Sequence, residues 1–537
     1  MLERYGSGRK ITFVAIVIWI IALVYTTLVV QWSLKAGRLA MDSVADDVGY
    51  LADGLARLTI LHRDGLWGML HSYWSSPPHS PWASVSACLG FAIFGVHDWG
   101  PYLIYGFLVV ITLFAANELL VPSNSVNRIL ILISILLTPL MLRAVHEFRP
   151  DFAVALFADL FALATLRLAC LQRTVGHEAR THFLVGLLAG IAYLAKPTFF
   201  TYTTAISIVS IVLAEICYRI FSSDRLQLRL TAQRVGGIVL GILAIALPYY
   251  CVQGKGVLNY FLQNAISGPE TDIWRVSGGL AESFQLFILG PYMIQMLGFF
   301  GPLLILWIIL GIASSIIRKT ARPLAFIICG VILTTLAASI IVLGRMSNIY
   351  FGQTWQLMLL LVGVFAIGEV SRSDRVNISA VGACALSIAL CCAYPPTKNI
   401  WVVFSDCRSE TSINYRVLNT IIGAAKLGSP VSHTPSVFAT FAGDVSAYTQ
   451  TWIATKDHIA IKLFDLHRSG VFETQIAQAK TADFVEVADP ASGWLYRWLP
   501  SGPLQGSILA ALRADPSFEE LNPIVGKEGV LYLFRRK

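Results

Sequence analysis

Roughly eleven apolar runs, most near the length needed to cross a hydrocarbon core, follow one another through residues 11–394, and they leave this chain few folds to choose from. Backbone in lipid must satisfy its own hydrogen bonds, so such runs become helices of a polytopic bundle. With 56% hydrophobic residues across 537, a soluble domain on a single anchor is excluded. The runs are 11–31, 102–121, 127–145, 152–171, 183–195, 202–221, 235–251, 300–317, 323–343, 354–367 and 376–394. The first follows Arg4, Arg9 and Lys10 as a signal peptide would, but it exceeds a typical signal core and reads as an uncleaved span.

The basic residues set the sides. Lys and Arg favour the cytoplasmic ends of spans, which puts residues 1–10 inside. Arg173 and Arg180, then Arg219, Arg225, Arg229 and Arg234, then Arg318, Lys319 and Arg322, then Arg372 and Arg375, fall on the same side at alternate connectors. The net charge of +8 therefore reports topology and does not point to nucleic acid. Eight of the 9 Cys lie in or beside apolar runs and only Cys407 stands clear, so neither a disulfide framework nor a metal-ligand spacing is visible.

Residues 1–394 thus read as a transmembrane domain, with 32–101 as a long first outer loop. Within that loop 82–95 is too short for a span and suits an interfacial or re-entrant helix, and the first part of 284–317 reads as interfacial for a related reason, since 34 residues exceed one span. Residues 395–537 read as a small extracytoplasmic α/β domain. Strands are expected at 436–441, 459–464, 483–487 and 529–534, with helices at 472–479 and 506–514. A lid, an acceptor-recognition module or plain packing all fit such a domain.

Charged groups collect on the outer side. Asp46 and Asp47 precede a helical pattern through Val48, Leu51, Leu55, Leu58 and Leu61. Neighbouring helical side chains diverge by about 100°, so the two do not share a proton, and Asp46 also suits an N-cap. Glu147, Arg149 and Asp151 form a second cluster, while Lys196, Arg275 and Arg345 end or follow apolar runs. A carboxylate beside cations at a membrane surface suits a substrate with a lipid tail and a phosphate head: the cations hold phosphate, and a carboxylate takes a proton from a hydroxyl. The structural readings stand beside this. A terminal Lys or Arg snorkels, Glu147 and Asp151 pair with Arg149 or cap a helix, and His79 and His97 serve structure.

The motifs together resemble the C-type glycosyltransferases (GT-C), polytopic enzymes that include protein O-mannosyltransferases, the aminoarabinose transferases of lipid A and galacturonosyltransferases of the lipopolysaccharide core. Ala45-Asp46-Asp47-Val48-Gly49-Tyr50 is similar to the superfamily's Asp-Glu motif. His79-Ser80-Pro81-Trp82 resembles a His-Pro-Pro motif lacking its second proline, Arg149-Pro150-Asp151-Phe152 the second-loop acidic residue, residues 186–196 the Gly-rich span ending in Lys, and residues 345–356 the segment before a late span. The resemblance implies an inverting transfer of a sugar from a polyprenyl-phosphate donor to a glycan, lipid or protein acceptor, on the outer face of a prokaryotic inner membrane. It assigns Asp46 as base, Asp47 and Asp151 as orienting carboxylates, and Lys196 with Arg345 as binders of the donor phosphate, with His79, Glu147 and Arg149 near the acceptor or sugar. No cofactor is required. The carboxylates would suit a divalent cation, and its use stays open. The rival readings are a transporter or flippase of a lipid-linked substrate, against which stands the lack of repeat-related halves, and a structural subunit of an envelope assembly machine.

Overall fold

The computed structural model describes residues 8–35, 46–120, 125–171, 178–221, 228–267, 275–298, 300–345, 347–371, 408–427, 434–442, 445–466, 469–492, 499–526 and 529–537. The helices in chain order are α1 (Gly8–Lys35), α2 (Asp46–Ser75), α3 (Pro81–Phe94), α4 (Gly100–Tyr105), α5 (Phe107–Leu119), α6 (Ser125–Leu136), α7 (Pro139–His146), α8 (Pro150–Cys170), α9 (Glu178–Ala195), α10 (Phe200–Phe221) and α11 (Leu228–Phe261). Then come α12 (Gly279–Phe284), α13 (Pro291–Leu297), α14 (Phe300–Ile317), α15 (Ala321–Gly344), α16 (Gln353–Val370), α17 (Arg408–Leu427), α18 (Ala447–Lys456), α19 (Phe472–Ala479) and α20 (Gln505–Ala514). Among the described residues, 8 helices are long and apolar enough to cross a membrane. The run at 127–145 is a bent pair, α6 and α7, with 61° between its halves, because Pro139 cannot continue the hydrogen-bond ladder behind it. The run at 183–195 lies in α9, and the run at 376–394 falls outside the described residues.

The chain divides into two compact units. The first comprises the described residues within Met1–Val29, Asp64–Ser86 and Tyr102–Val403. Its centre is α16, in which every residue is buried, beside the almost wholly buried α8. Helices α9 and α11 pack along much of their length. A methyl group added at Gly186 would strike the Ile238 carbonyl, and one at Gly241 would strike the Phe183 carbonyl, so the two backbones touch. Small residues permit such contact, which is how helices gain packing in lipid. Helix α11 is longer than the expected run 235–251: it continues past Pro248 to Phe261. Val257 is buried, which gives this extension a packed face.

The second unit comprises the described residues within Val30–Arg63, Ala87–Pro101 and Phe404–Lys537. It therefore includes two pieces of the first loop together with the C-terminal residues; the expected boundary at 394–395 lies outside the described residues. Its sheet runs β4 (Lys462–Phe464), β1 (Ser436–Phe438), β5 (Phe484–Ala488), β8 (Val530–Arg536), β6 (Phe518–Glu520), with β7 (Ile524–Val525) also on β8. β1 lies parallel to β4 and β5, and β5 lies antiparallel to β8. A second small ladder joins β2 (Phe441–Ala442) to β3 (Val445–Ser446). One face packs Phe484, Leu531 and Leu533 on Ile413, Val417 and Ile421 of α17, and the other packs Val485, Val487 and Phe534 on Ile508 and Leu512 of α20. The expected strands and helices are found close to their predicted bounds; α17, α18, β3, β6 and β7 are additions.

Both faces of β5 are covered, so Glu486 is 1% exposed. Its Oε2 accepts from Gln450 Nε2 at 3.0 Å. Burial pushes its carboxyl up to about 8, against the lowering effect of Gln450 and the Thr440 backbone.

Candidate functional site

Helix α9 ends at Ala195 because Pro197 follows, which holds Lys196 in an extended conformation before a short 3-10 turn, Pro197–Phe199. Ser80 ties down this corner: its hydroxyl donates to the Ala195 carbonyl at 2.6 Å and accepts from the Ala83 amide at 3.2 Å at the head of α3. One side chain thus satisfies two helix termini. Tyr250 Oη donates to the Pro197 carbonyl at 3.0 Å, fixing the other side of the turn to α11.

Asp151 lies in the first turn of α8, where Pro150 is well suited to N1 and a carboxylate opposes the positive end of the helix dipole. Lys196 Nζ reaches Asp151 Oδ1 at 2.7 Å, with the Asp side chain 3% and the Lys side chain 12% exposed. The ammonium also stands 4.7 Å from the Phe199 ring centroid and 5.1 Å from that of Phe351. These rings stack at 5.3 Å and 22°. A cation held by a carboxylate and two π faces is well placed and partly desolvated.

The same connector, from Arg345 to Gly352, supplies the neighbouring contacts. The Tyr350 ring lies 4.0 Å under the Arg149 guanidinium, and its hydroxyl donates to Glu147 Oε1 at 3.3 Å. Glu147 is paired with Arg143 at 2.8 Å, one helical turn back, and Tyr105 Oη donates to the Arg149 carbonyl. Asp151, Lys196, Arg149 and Glu147 therefore belong to one aromatic-lined cluster, in which Asp151 pairs with Lys196 and Glu147 with Arg143. Arg345 caps α15 with φ 51°, and its carbonyl accepts from the Val276 amide at 2.8 Å. It begins the connector that carries Tyr350 and Phe351.

His79 is exposed, with its ring centroid 5.4 Å from that of Tyr260, so it is Ser80 from that motif that touches the Lys196 corner. Asp46 opens α2, but its side chain lies outside the description, and Asp47 is 4% exposed. Both belong to the second unit. Among the described residues no three His, Cys, Asp or Glu side chains gather as a metal ion would need. Sequence reasoning did not single out Phe351, Ser80, Arg143 or Tyr105 for this site. The one signal was the aromatic run after Lys196-Pro197, unusual for a simple interfacial anchor.

No family model matches the sequence, and no curated protein matches it. Solved structures do match: ArnT from Cupriavidus metallidurans bound to undecaprenyl phosphate is 14% identical, with a TM-score of 0.55 over 96% of this chain and 98% of that one. The chain has the GT-C fold. The apo state of the same ArnT is similar at 13% identity and a TM-score of 0.54, covering 96% and 97%. At such identity it is the fold that is shared.

Proposed function

We propose that this GT-C chain transfers a sugar from a polyprenyl-phosphate donor to an acceptor hydroxyl at the outer face of a prokaryotic inner membrane, with inversion at the anomeric carbon. The observation that carries the reading is the buried Lys196–Asp151 pair at the ends of α9 and α8, on a fold shared with a protein solved with undecaprenyl phosphate. In this reaction the acceptor oxygen attacks the anomeric carbon, the bond from that carbon to the phosphate oxygen breaks, and polyprenyl phosphate leaves. Lys196 stabilises the charge that gathers on the leaving phosphate, and Arg149 borders the same cluster. Asp151 orients Lys196 and keeps it neutralised while the donor is absent. Asp46 takes the acceptor proton, as the superfamily's motif implies, with Asp47 beside it on α2. No metal is needed for this balance, because the leaving group is already a phosphate.

Membranes carrying the wild type, Asp46→Asn or Lys196→Ala, supplied with candidate polyprenyl-phosphate sugars and an envelope glycolipid extract, test the assignment. Loss of transfer in Asp46→Asn and weakened donor use in Lys196→Ala, at normal expression, support it. Equal transfer by all three removes both roles.

A further inference from the structure

The second unit holds the Asp46 end of α2 at one end of a chain of contacts and the C-terminal domain at the other. Helix α2 is broken at Gly65, where φ is 72° and ψ −174°, so residues 46–63 do not continue into 66–75 as one rigid rod. Their orientation must come from what they lean on. They lean on the second half of α3: a methyl group at Gly54 would strike Ala87 Cβ, so the two helices meet there almost at the backbone. Beside this contact Arg57, 3% exposed, is held by Asp53 at 3.0 Å.

The far end of α3 is held in turn by α18. Phe91 stacks on Trp452 at 5.5 Å between centroids and 24°. Trp452, 1% exposed, donates from Nε1 to Asp98 Oδ1 at 3.0 Å. Asp98 lies in the loop that leaves α3 after Gly95. Lys456, one turn along the same face of α18, reaches Asp98 Oδ2 at 3.1 Å and the Tyr415 hydroxyl of α17 at 3.0 Å. One carboxylate therefore receives an indole N–H and an ammonium from the C-terminal domain, and a ring stack backs it.

We propose that the C-terminal α/β domain positions residues 46–63 for catalysis, with Asp98, Trp452 and Lys456 as positioning residues that act through α3; this rests on the reading that the Asp46 end of α2 supplies the base. None of the three need touch substrate. Their effect is on the rate of the chemical step and not on donor capture, which the Lys196 cluster of the other unit performs.

The test uses full-length protein in nanodiscs, comparing Asp98→Asn, Trp452→Phe, Lys456→Met and Lys456→Arg with wild type. Two quantities are read: amide exchange of peptides within residues 46–63, and sugar-transfer kinetics. The expected result for Asp98→Asn and Lys456→Met is exchange faster by about tenfold, with kcat down by about 10- to 100-fold at a donor KM within about twofold. Lys456→Arg, which keeps the charge, should stay near wild type in both. If Asp98→Asn and Trp452→Phe fold and leave both exchange and kcat unchanged, the proposal is overturned, and faster exchange with unaltered kcat overturns the catalytic part of it. An Asp46→Asn control with undiminished transfer instead overturns the assignment of the base, which the exchange measurement does not depend on.

Discussion

Glu486→Gln should change how the C-terminal domain responds to pH. The carboxyl sits mid-strand in β5, 1% exposed, bonded to Gln450 and pushed up to about 8, where an unfolded chain would show its ordinary value near 4.5. A raised folded value means the folded state keeps a proton that the unfolded state gives up. Stability is then complete below about pH 4.5 and falls as pH rises towards 8. The slope is about 1.4 kcal/mol per pH unit, so by pH 7 the loss is about 3 kcal/mol. Glutamine keeps the size and the acceptor for Gln450 but carries no titrating proton, so the variant should hold its low-pH stability across the range. The assay is amide exchange of β5 and β8 peptides in the full-length protein between pH 5 and 9, corrected for intrinsic rates. Wild-type protection should fall about tenfold per pH unit relative to the variant between pH 5 and 8. Parallel pH profiles for the two proteins would refute the reasoning, and would mean that Glu486 is ionised in the fold.

Four further outcomes follow from the geometry. Lys196→Met leaves Asp151 buried without its cation and should cost about 3–5 kcal/mol of stability, while adding Asp151→Asn should recover much of that, as thermal unfolding in detergent would show. Asp151→Asn alone keeps an oxygen facing Lys196 but removes the competing charge, so binding of polyprenyl phosphate should tighten several-fold while turnover slows, read by titration and by product-release kinetics. Tyr350→Phe keeps the ring under Arg149 and loses only the bond to Glu147, so it should cost about 1 kcal/mol and clearly less than Tyr350→Ala. Gly186→Val must push α9 off α11 and with it move the Lys196 corner; melting temperature and donor use should fall together, whereas Gly236→Ala, where an added methyl meets nothing within 4 Å, should change neither.

Much of this was legible in the sequence because lipid enforces a simple code. Span-length apolar runs had to become helices, and Pro after Lys196 had to end one. Lys196 and Asp151 could be picked out as charges at span ends, but not as partners of each other, since 45 residues and a turn between helices separate them. Phe351 was hidden for the same reason: it is 155 residues from Lys196, and an aromatic residue in an apolar region looks like core. Glu486 was misleading in a different way. It is the one polar residue in Phe484 to Ala488, as the outward position of a strand would be, and only the covering of both sheet faces shows that it is buried. The contact of Asp98 with Trp452 and Lys456 spans more than 350 residues and left no local trace.

The Lys196 pair makes sense as a way of keeping a cation ready in a place that is hostile to one. A buried ammonium without an anion is expensive, and a permanent ion pair stabilises little, because desolvation offsets much of the attraction. Here the anion and the two aromatic rings all face the same Nζ, so the charge is held in place by groups that can each yield to a stronger one. A phosphate carries more charge than a carboxylate and several acceptor oxygens, so in the proposed reaction it would compete with Asp151 for the ammonium that Phe199 and Phe351 flank. Asp151, in the first turn of α8, lies at the positive end of that helix's dipole. Under the proposed function, such an arrangement would bind phosphate by exchange and not by adding charge to the membrane, and Asp151 would reclaim the lysine as the product phosphate leaves.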